Sequence, residues 1–504
     1  MPALYLTDQI RSAEAQAQTG LAPLALMRRA AMALSNACAE EARELTPDSR
    51  IVVLVGPGNN GGDALLAAVS LRERGFNAVA LMLRPEGGGS PDARAALAIA
   101  RAASLPFIDD LPSSGITRSL FLDGLFGIGL SRPIEGHAAQ WISSLNGCPA
   151  RVIAVDVPSG INADTGAVVG GSRGVALRAS KTVTFLGDKA GLRTGAGLTH
   201  AGRVTVESLG VQIAYGQGTL VTAEESRALV RPLARTPDSH KGSFGHVAVV
   251  GGAAGMRGAA VLAALGAQRS GAGKVSIGAP DGWRPDSSSH PQLMALPAKT
   301  MVRGGYQCWV IGCGLGQTTE SRSLLKVLLR EADRPKVLDA DALNLIATDA
   351  ALAAALLRAT SPAVLTPHPL EAARLLGVST QAIQSDRIDA ARRIAGRYRA
   401  IVLLKGAGTV CAHPDGDWAV IDAGSPSLAT AGTGDVLAGV IGGLIAQGLS
   451  PASAACLGAY AHARAGELAG AGGMSVVGLA SADLPGWVAT VINQLLESDI
   501  GFSS

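Results

Sequence analysis

The chain has 504 residues, more than one ordinary hydrophobic core holds, so its length predicts two to four domains. Aromatic residues make up only 3%, and the formal charge of +3 comes from interspersed basic and acidic residues, which argues against a nucleic-acid-binding surface. Six scattered cysteines without a Cys-x-x-Cys pair argue against a disulfide framework or a zinc site. With no signal-peptide pattern and no membrane-length apolar run, we expect a cytoplasmic protein with reduced thiols and no membrane partner.

Short β-branched runs alternate with helical stretches along the chain, which predicts parallel sheets covered by helices on both faces. The predicted strands lie at 51–55, 78–83, 120–123, 152–157 and 182–186 in the first half, and at 246–250, 274–278, 308–312, 337–339, 363–366 and 401–404 in the second. Segment 210–241 lacks a strong periodic pattern, which places a domain boundary at about 215–230. The sequence therefore predicts an α/β protein of two unrelated units.

A Gly-rich segment from Val55 to Asp63, with the sequence Val-Gly-Pro-Gly-Asn-Asn-Gly-Gly-Asp, follows the first predicted strand and precedes an amphipathic run at 64–74. It formally satisfies Gly-x-Gly-x-x-Gly, but the charge of Asp63 would repel a pyrophosphate, and Asn59 and Asn60 add amides that a backbone cradle does not require. These groups favour hard oxygen ligands for a cation, together with polar donors for a ligand. The alternative is an Asn-rich turn capped by Asp63.

Two other loops are expected at the same edge of the sheet. Asp123 ends a predicted strand and precedes a Gly-rich loop that carries Arg132, and Asp156 ends the next strand in Asp-Val-Pro-Ser-Gly. Because ligands bind outside the carboxyl ends of strands in open parallel sheets, we expect these loops to meet. Either aspartate taken alone could instead cap the loop that follows it.

The motifs Gly-Pro-Gly-Asn-Asn-Gly-Gly-Asp, Asp-Gly-x-Phe-Gly-x-Gly-Leu-x-Arg-Pro and Asp-x-Pro-Ser-Gly resemble those of the NAD(P)H-hydrate epimerases. The resemblance covers residues 1–215 and implies a Rossmann-like three-layer domain with a potassium ion bound by Asn60, Asp123 and Ser159. It also implies that Asp156 lies at the reacting nicotinamide ring, where it would accept and return a proton. Lys189 lies in a stretch typical of that family, and its role stays open. The implied substrate contacts are Asn59, Asn60, Gly61, Gly62, Asp63, Gly127, Ile128, Gly129, Leu130, Ser131, Arg132, Pro133 and Asp156.

Near the C-terminal end, Gly-Thr-Gly-Asp435 opens directly into an apolar, helix-like run at 436–449. Small residues let backbone N–H groups approach an anion, and a helix N-terminus adds partial positive charge. Asp435 would repel a phosphate that is merely bound, so its position suits a base that deprotonates a hydroxyl while the turn stabilises a transferring phosphoryl group. The alternative is that Asp435 only caps the helix.

The second half carries further Gly-rich and polar motifs in a characteristic order, at 240–245, 251–260, 310–316, 337–344, 365–371 and 403–409, ahead of the Gly-Thr-Gly-Asp turn. Together they resemble the ADP- or ATP-dependent NAD(P)H-hydrate dehydratases over residues 225–495, which implies a ribokinase-like three-layer domain with Asp435 as the base. Mg²⁺ and the co-substrate ADP are implied as well. The implied substrate contacts are Ala259, Gly316, His368 and Asp435, and the implied nucleotide contacts are Lys405, Gly406, Ala407, Gly408, Thr409 and Gly434.

Both halves in one chain resemble the bifunctional NAD(P)H-hydrate repair enzymes. That resemblance implies an isomerase that interconverts the R and S forms of NADHX and NADPHX, and a lyase that dehydrates the S form while ADP gives AMP and phosphate. The expected partners are these small molecules, with room for a homo-oligomer. Two alternatives stay open: a ribokinase-like kinase of a small alcohol, and an N-terminal half that binds a ligand without catalysis.

Three positions depart from the dehydratase pattern. Cys313 replaces a proline, and Leu370 and Ser427 replace glycines, so the last two lack the freedom of glycine at positive φ and their turns are expected to differ in shape. Three further polar residues could order a metal and waters or merely cap local structure, namely Asp339, Asn344 and Glu371.

Overall fold

The computed structural model describes residues 1–43, 46, 49–84, 89–112, 116–213, 215–286, 288–302, 304–331, 333–471 and 477–497. The chain divides into two compact units, Ala3–Gly218 and Thr219–Ser504 with Met1–Pro2. Within the described residues, no helix has both the length and the apolar character needed to cross a membrane.

The N-terminal unit alternates strands and helices. Its strands are β1 (Ala3–Tyr5), β2 (Ile51–Val55), β3 (Ala78–Met82), β4 (Phe107–Ile108), β5 (Leu120–Gly124), β6 (Arg151–Val155), β7 (Lys181–Phe185), β8 (Asp188–Lys189) and β9 (Arg203–Glu207). Its helices are α1 (Thr7–Gln18), α2 (Ala25–Ala42), α3 (Asn59–Glu73), α4 (Pro91–Ala102), α5 (Gly136–Asn146) and α6 (Gly195–His200).

The main sheet of this unit has the strand order β4-β3-β2-β5-β6-β7-β9, and all of its pairs are parallel. From β2 the chain runs outward to β3 and β4 and then returns to β5 on the other side of β2. This reversal is the topological switch point of a Rossmann-like sheet, and ligands bind at the carboxyl ends of the strands beside it. In register, Asp123 on β5 lies opposite Ala154 on β6, so Asp156 follows at the same edge.

Alternate side chains of the strands reach two helical layers. Val53 on β2 packs with residues of α2 and α3, whereas Leu54 packs on the opposite face with Trp141 of α5. Because both faces are covered, β2 and β5 are buried along their whole length, as the continuous apolar sequence of β2 predicts. The predicted three-layer α/β architecture is confirmed for this unit.

The C-terminal unit uses the same alternation. Its strands are β10 (Gly218–Val221), β11 (His246–Val250), β12 (Lys274–Gly278), β13 (Met294–Ala295), β14 (Cys308–Ile311), β15 (Lys336–Leu338), β16 (Val364–Leu365), β17 (Ile401–Leu404), β18 (Val410–Ala412) and β19 (Trp418–Ile421). Its helices are α7 (Ala223–Val230), α8 (Arg257–Arg269), α9 (Ala298–Met301), α10 (Thr319–Arg330), α11 (Asp341–Thr348), α12 (Ala350–Leu356), α13 (Pro369–Leu376), α14 (Thr380–Ser385), α15 (Arg387–Tyr398), α16 (Thr433–Ala446), α17 (Pro451–Ala471) and α18 (Leu484–Glu497).

The strand order in this unit is β13-β12-β11-β14-β15-β16-β17-β18-β19-β10. Pairs from β13 to β17 are parallel, and β17, β18 and β19 then pair antiparallel. The strand ends that follow Ile311, Leu338, Leu365 and Leu404 therefore lie along one edge of the sheet. Most of the predicted dehydratase-site residues lie in the segments that follow these strand ends.

Helix α16 fixes the position of the Gly-Thr-Gly-Asp turn because it is buried along nearly its whole length. It packs closely on α8, and a Cβ added at Gly439 would lie 1.8 Å from the carbonyl oxygen of Ala263. Glycine is therefore required at 439 for the two backbones to approach each other. The C-terminal unit thus holds the first turn of α16 on a rigid helix pair.

One of the sequence predictions was wrong in detail. Helix α3 begins at Asn59 rather than after Asp63, so the Asn-Asn-Gly-Gly-Asp segment is its first turn, and the helix is mostly buried rather than amphipathic. The stretch 210–241, which lacks a strong periodic pattern, contains β10 and α7. Helix α7 starts with a capping box between Thr222 and Glu225, a start signal that the sequence analysis overlooked.

Candidate active sites

A pocket of about 830 Å³ opens at the carboxyl edge of the N-terminal sheet, beside the switch point between β2 and β5. That volume lies in the range of roughly 300–1,000 Å³ common for small-molecule sites. The predicted contact residues that line it are Asn59, Asn60, Asp63, Gly127, Ile128, Gly129, Leu130, Ser131, Arg132 and Asp156. The three loops that the sequence expected to converge do so here.

Asp156 and Lys189 form a buried ion pair at this pocket. Lys189 Nζ lies 2.5 Å from Asp156 Oδ1, and the lysine side chain has no exposure to solvent. Thr184 Oγ1 and the Phe185 N–H donate to the same oxygen, at 3.1 and 3.0 Å. Within the described residues Oδ2 receives no hydrogen bond, so this second oxygen is the one available to a substrate.

The backbone at Asp156 supports the same arrangement. Its φ is +65°, a region that residues with a Cβ rarely adopt, and its N–H donates to the Val183 carbonyl oxygen at 2.8 Å. Strained backbone of this kind persists where the surrounding structure imposes it, often at active sites. Here the strain turns the carboxylate from the end of β6 towards the pocket that Lys189 also lines.

Asp123 and Ser159 form a compact oxygen-rich group next to this pocket. Ser159 Oγ donates to Asp123 Oδ1 at 2.7 Å, and the Ser159 N–H donates to Oδ2 at 2.8 Å. Burial raises the pKa of Asp123 to about 6, although the hydrogen bonds from Ser159 oppose this shift. The Phe126 carbonyl oxygen lies 3.2 Å from Ser159 Oγ. A cation bound here would offset the unfavourable burial of the Asp123 carboxylate next to other oxygen atoms.

The side chain of Asn60, in the first turn of α3, adjoins Gly127 in the loop that follows Asp123. Its Nδ2 atom is buried and has no hydrogen-bond partner among the described residues. The assignment of amide oxygen and nitrogen in Asn is exchangeable, so the same side chain can turn a carbonyl oxygen inward. The residues therefore fit a hard cation, which the amide oxygen would help to coordinate.

The surroundings of Asp63 disfavour a negative charge on its carboxyl group. Burial and the carboxylates of Asp156, Glu14 and Asp92 raise the pKa of Asp63 well above its usual range. The shift favours the protonated form, in which the carboxyl group can donate a hydrogen bond. It faces the pocket from the first turn of α3.

Three predicted residues of the first site pack against neighbouring groups and do not line this pocket. Gly61 lies against the Gly56 carbonyl, Gly62 against Met27, and Pro133 against Gly170, and none of the three lines the pocket. Other pocket residues were missed, among them Arg11 and Glu14 of α1 and Asp92 of α4. Their helices carry no motif, so only the tertiary structure brings them to the site.

In the C-terminal unit, Asp435 lies in the first turn of α16. Its carboxylate, the carboxylate of Asp339 and the Cys313 thiol have ligand atoms that all lie within 4.8 Å of one another. Burial and the charge of Asp339 raise the pKa of Asp435 to about 6, against the opposing effects of the Cys313 hydrogen bond and Lys405. A base with such a pKa is ionised at neutral pH and can still accept a proton readily.

Lys405 joins this carboxylate group from the end of β17. Its Nζ donates to Asp339 Oδ1 at 2.9 Å, and a Cβ built on Gly434 would lie 3.2 Å from the same Nζ. Burial alone would lower the pKa of Lys405, but Asp339 and Glu371 outweigh it and the pKa is raised. The lysine is a fixed cation beside the turn that carries Asp435.

Arg387 supports the loop at 405–409 through a hydrogen bond and packing contacts. The Arg387 side chain is almost fully buried, donates to the Leu404 carbonyl oxygen at 3.1 Å and packs against Gly406. Gly406 and Gly408 have φ values of +143° and +61°, which the loop needs and which other residues rarely adopt. Sequence reasoning missed this arginine because one charged residue at a helix start gives no signal of burial.

His368 is a helix cap. Its Nδ1 accepts the N–H groups of Leu370 and Glu371, and the Glu371 carboxylate accepts the His368 N–H, which forms a capping box at the start of α13. Burial raises the pKa of Glu371 to about 7, although Lys405 opposes the shift. The ring of His368 remains about half exposed, so capping leaves one face open to a ligand.

The remaining second-site residues are Gly316, in the loop after β14, Ala259 on α8 and Asn344 on α11. Gly316 has a φ of +76° and its N–H donates to Asp341 Oδ2 at 2.8 Å, while Ala259 on α8 packs against Gly314. Asn344 Oδ1 accepts from Arg374 at 2.7 Å.

Two of the three departures from the dehydratase pattern can be judged from the backbone. Leu370 lies in α13, and Ser427 lies in a short 3₁₀ turn where its hydroxyl donates to the Gly466 carbonyl oxygen at 2.9 Å. Neither has a positive φ, so neither position depends on the glycine freedom that the sequence analysis expected to be lost.

His462 on α17 is a further residue that the sequence analysis did not single out. Its Nε2 lies 2.9 Å from the Thr433 carbonyl oxygen, and burial lowers its pKa to about 4. A neutral imidazole therefore holds the start of α16 in place.

The two units define an α/β protein with a Rossmann-like unit and a ribokinase-like unit, each carrying a carboxylate-centred site at the carboxyl edge of its parallel strands. Comparison with known proteins agrees with this class. A family described as YjeF-related protein N-terminus matches residues 23–191, and the NAD(P)H-hydrate dehydratase family matches residues 247–483.

Relatives match nearly the whole chain. The bifunctional NAD(P)H-hydrate repair enzyme of Coxiella burnetii is 37% identical and is matched over 93% of this chain and 95% of its own length. The enzyme of the same name from Escherichia coli is 36% identical over 92% of this chain and 89% of its own. A Bacillus subtilis ADP/ATP-dependent NAD(P)H-hydrate dehydratase co-crystallised with ATP/Mg²⁺ has 30% identity and a TM-score of 0.48, covering 55% of this chain and 99% of that one. The chain belongs to the family of bifunctional NAD(P)H-hydrate repair enzymes.

Proposed function

We propose that this protein restores hydrated NADH and NADPH with two independent sites. The pocket of the N-terminal unit epimerises the R and S hydrates, and the Asp435 site of the C-terminal unit dehydrates the S form with ADP as co-substrate. Membership of the repair-enzyme family supports this assignment. The observation that carries it is the pair of separate carboxylate-centred sites, Asp156 with Lys189 and Asp435 with Asp339 and Lys405.

At the first site, Asp156 is the group that accepts and returns a proton. The Lys189 ammonium and two further donors hold Oδ1, which leaves Oδ2 to face the hydroxylated carbon of the nicotinamide ring. Asp63 lines the same pocket, and its raised pKa favours the protonated form, which would donate a hydrogen bond to the substrate. The pocket combines these acids with apolar residues such as Ile128 and Leu130, so it suits a molecule with both ring and polar parts.

We propose that Asn60, Asp123 and Ser159 hold a potassium ion beside this pocket. The buried carboxylate of Asp123 and the unpartnered amide of Asn60 support the proposal. The ion would supply positive charge that neutralises Asp123 and fixes the loop bearing Ser159, three residues after Asp156. Its contribution would therefore be to position the catalytic loop.

At the second site, Asp435 takes the proton of the substrate hydroxyl as that oxygen attacks the terminal phosphate of ADP, and AMP leaves. Backbone N–H groups at the start of α16 would donate to the transferring phosphoryl group, and Lys405 adds a fixed positive charge. Each well-placed donor of this kind contributes roughly 3 kcal/mol to stabilising the transition state. The phosphate then leaves, driven by the ring nitrogen lone pair. The ring carbon next to the one that carried the hydroxyl loses a proton to solvent, the ring double bond forms, and NADH or NADPH is restored.

We propose that Mg²⁺ is held chiefly by the ADP phosphates, with Asp339 as the protein's carboxylate donor. Carboxylate oxygen suits Mg²⁺, whereas the Cys313 thiol of the same group does not. The ion would neutralise charge on the transferring phosphoryl group.

The test is recovery of the near-ultraviolet absorbance of NADH when the protein, ADP and Mg²⁺ are added to a mixture of both hydrate epimers. We expect the NADH absorbance to recover fully. The second half of this recovery should be faster than spontaneous epimerisation allows. An NADH absorbance that stops near half of its full value would contradict the epimerase assignment. A phosphorylated hydrate that accumulates without NADH would instead indicate a kinase.

A further inference from the structure

A second cluster of reactive side chains lies in the C-terminal unit, on residues that the proposed chemistry does not use. The Sγ atoms of Cys411 and Cys456 and a ring nitrogen of His413 all lie within 4.8 Å of one another. Cys411 Sγ and His413 Nε2 are 4.0 Å apart. The sequence analysis argued against a zinc site because it looked for ligands close together along the chain, and Cys456 is far from the other two.

Strand geometry explains how the cluster forms. Cys411 lies on β18 and His413 follows it at i+2, so both side chains project from the same face of the sheet. Cys456 projects from α17, which covers that face. The His413 backbone is fixed by the turn of the β18–β19 hairpin, where its N–H donates to the Asp417 carbonyl oxygen at 2.8 Å. Three ligands therefore come from two rigid elements.

The surroundings of the cluster suit a bound cation. The two cysteines are buried in the main apolar cluster of the unit, with exposures of 0% and 6%, so water competes poorly for their sulfurs. His413 is only half-buried and leaves a way in from solvent. Asp415 and Asp417 lie on the same hairpin turn and their negative charges act on His413, which attracts cations to this opening.

We propose that Cys411, His413 and Cys456 form a binding site for Zn²⁺, with water as the fourth ligand. Two thiolates and an imidazole are the ligand types that select this ion, and its tetrahedral geometry requires sulfur–nitrogen separations of about 3.6 Å for bond lengths of about 2.3 and 2.1 Å. The observed 4.0 Å separation needs only a small closure. Binding releases the thiol protons of both cysteines to solvent, and the charge of the ion is balanced by the two thiolates.

The site would join α17 to the β18–β19 hairpin. Both elements serve the proposed dehydratase: β18 directly follows the loop at 405–409, and α17 carries His462, which contacts the start of α16. Six residues separate Cys456 from His462, which is about 9 Å along a helix. The ion is therefore a structural one that supports the site without touching substrate.

Cobalt substitution of the full-length protein tests the proposal directly. The protein, prepared with reductant and freed of metal by chelator, is titrated with Co²⁺ and followed by absorption. We expect the intense visible bands of tetrahedral Co²⁺ and near-ultraviolet thiolate-to-cobalt charge transfer, saturating at one equivalent and reversed by one equivalent of Zn²⁺. Zn²⁺ is also expected to raise the unfolding temperature of the metal-free protein.

Matched variants locate the ion. Cys456→Ser is expected to abolish the charge-transfer band, and Cys308→Ser, which alters another buried cysteine of this unit, is expected to keep it. Cys313→Ser should also keep the band, because Cys313 belongs to the Asp435 site. Wild-type protein without the band, or loss of the band in Cys313→Ser but not in Cys456→Ser, would overturn the proposal. The wild-type result decides the case even where a variant fails to fold.

Discussion

The ammonium group of Lys189, at the end of β8, lies 2.5 Å from Oδ1 of Asp156, which directly follows β6. The lysine side chain is fully buried. Three donors share Oδ1, which leaves the other oxygen of Asp156 for the role of proton acceptor that we propose. The sequence identified Asp156 from its place in a motif and left Lys189 without a role. The structure makes Lys189 the residue that orients the carboxylate.

Replacing Lys189 is therefore expected to impair epimerisation alone. Lys189→Met keeps much of the side-chain volume but leaves Asp156 buried without its cation, and we expect the epimerisation rate to fall by about 10²–10⁴-fold, the usual range for lost acid–base catalysis. The measurement is the exchange of R and S hydrates by chromatography, with dehydration of pure S hydrate as the internal control. Equal loss of both activities would indicate general misfolding rather than the loss of this pair.

The pH dependence of dehydration reports on Asp435. Its pKa is raised to about 6, chiefly by burial and then by Asp339, and a carboxylate base must be deprotonated to act. The rate is therefore expected to be constant above that pH and to fall about tenfold per pH unit below it.

Cys313→Ala provides the matched variant for this profile. The Cys313 hydrogen bond lowers the pKa of Asp435, so its removal is expected to move the acid limb of the profile to higher pH. Profiles of kcat in the two proteins, measured with pure S hydrate and saturating ADP, provide the check. A limb that stays in place, or moves to lower pH, would contradict the proposed contact between thiol and base.

Potassium should stabilise the N-terminal unit. A ligand present at 100 times its Kd stabilises the folded state by about 2.7 kcal/mol, so KCl is expected to raise the unfolding temperature more than NaCl or choline chloride at equal ionic strength. Asp123→Asn is expected to remove the difference between the salts, and Asp156→Asn to keep it, since only Asp123 belongs to the proposed cation site. An identical change in unfolding temperature with all three salts would contradict the proposed potassium site.

The contact between α8 and α16 predicts that two glycine-to-alanine substitutions change the free energy of unfolding in opposite directions. Gly439→Ala places a methyl group where the Ala263 carbonyl oxygen lies at 1.8 Å, and overpacking of this kind costs about 1–3 kcal/mol. Gly396→Ala on the exposed face of α15 meets no atom within 4 Å and should stabilise by about 0.5–1 kcal/mol through helix propensity. Urea unfolding of both variants measures the difference. Similar stabilities would mean that the helix pair is not packed as described.

Much of the fold could be predicted because buried parallel strands are continuous apolar runs. The strands at 51–55, 246–250, 274–278 and 401–404 have the predicted bounds. Strands β9, β18 and β19 were missed. Strand β9 (Arg203–Glu207) has a charged residue at each end and no fully buried residue, and the short hairpin strands lack the length that identifies a strand. The family and its bifunctional assignment could be recognised because the motifs occur at sheet edges in a fixed order.

The partners of the catalytic residues were less predictable. Arg387 under the loop at 405–409, His462 against the start of α16, and Glu14 near Asp63 come from helices with no motif, and their roles depend on tertiary contacts. The Cys411–His413–Cys456 cluster was also hidden, since its ligands are brought together only by α17 packing on β18. Motifs indicate which backbone forms a site, while burial and charge environment become known only from the folded chain.

The most direct test of two independent sites is a mixing experiment with Asp156→Asn and Asp435→Asn, each made in the full chain. With R hydrate, ADP and Mg²⁺, each variant alone is expected to regenerate NADH no faster than spontaneous epimerisation or dehydration permits. An equimolar mixture of the two is expected to restore the rate, because one protein supplies the epimerase and the other the dehydratase. A mixture no faster than the better of the two variants would contradict the account.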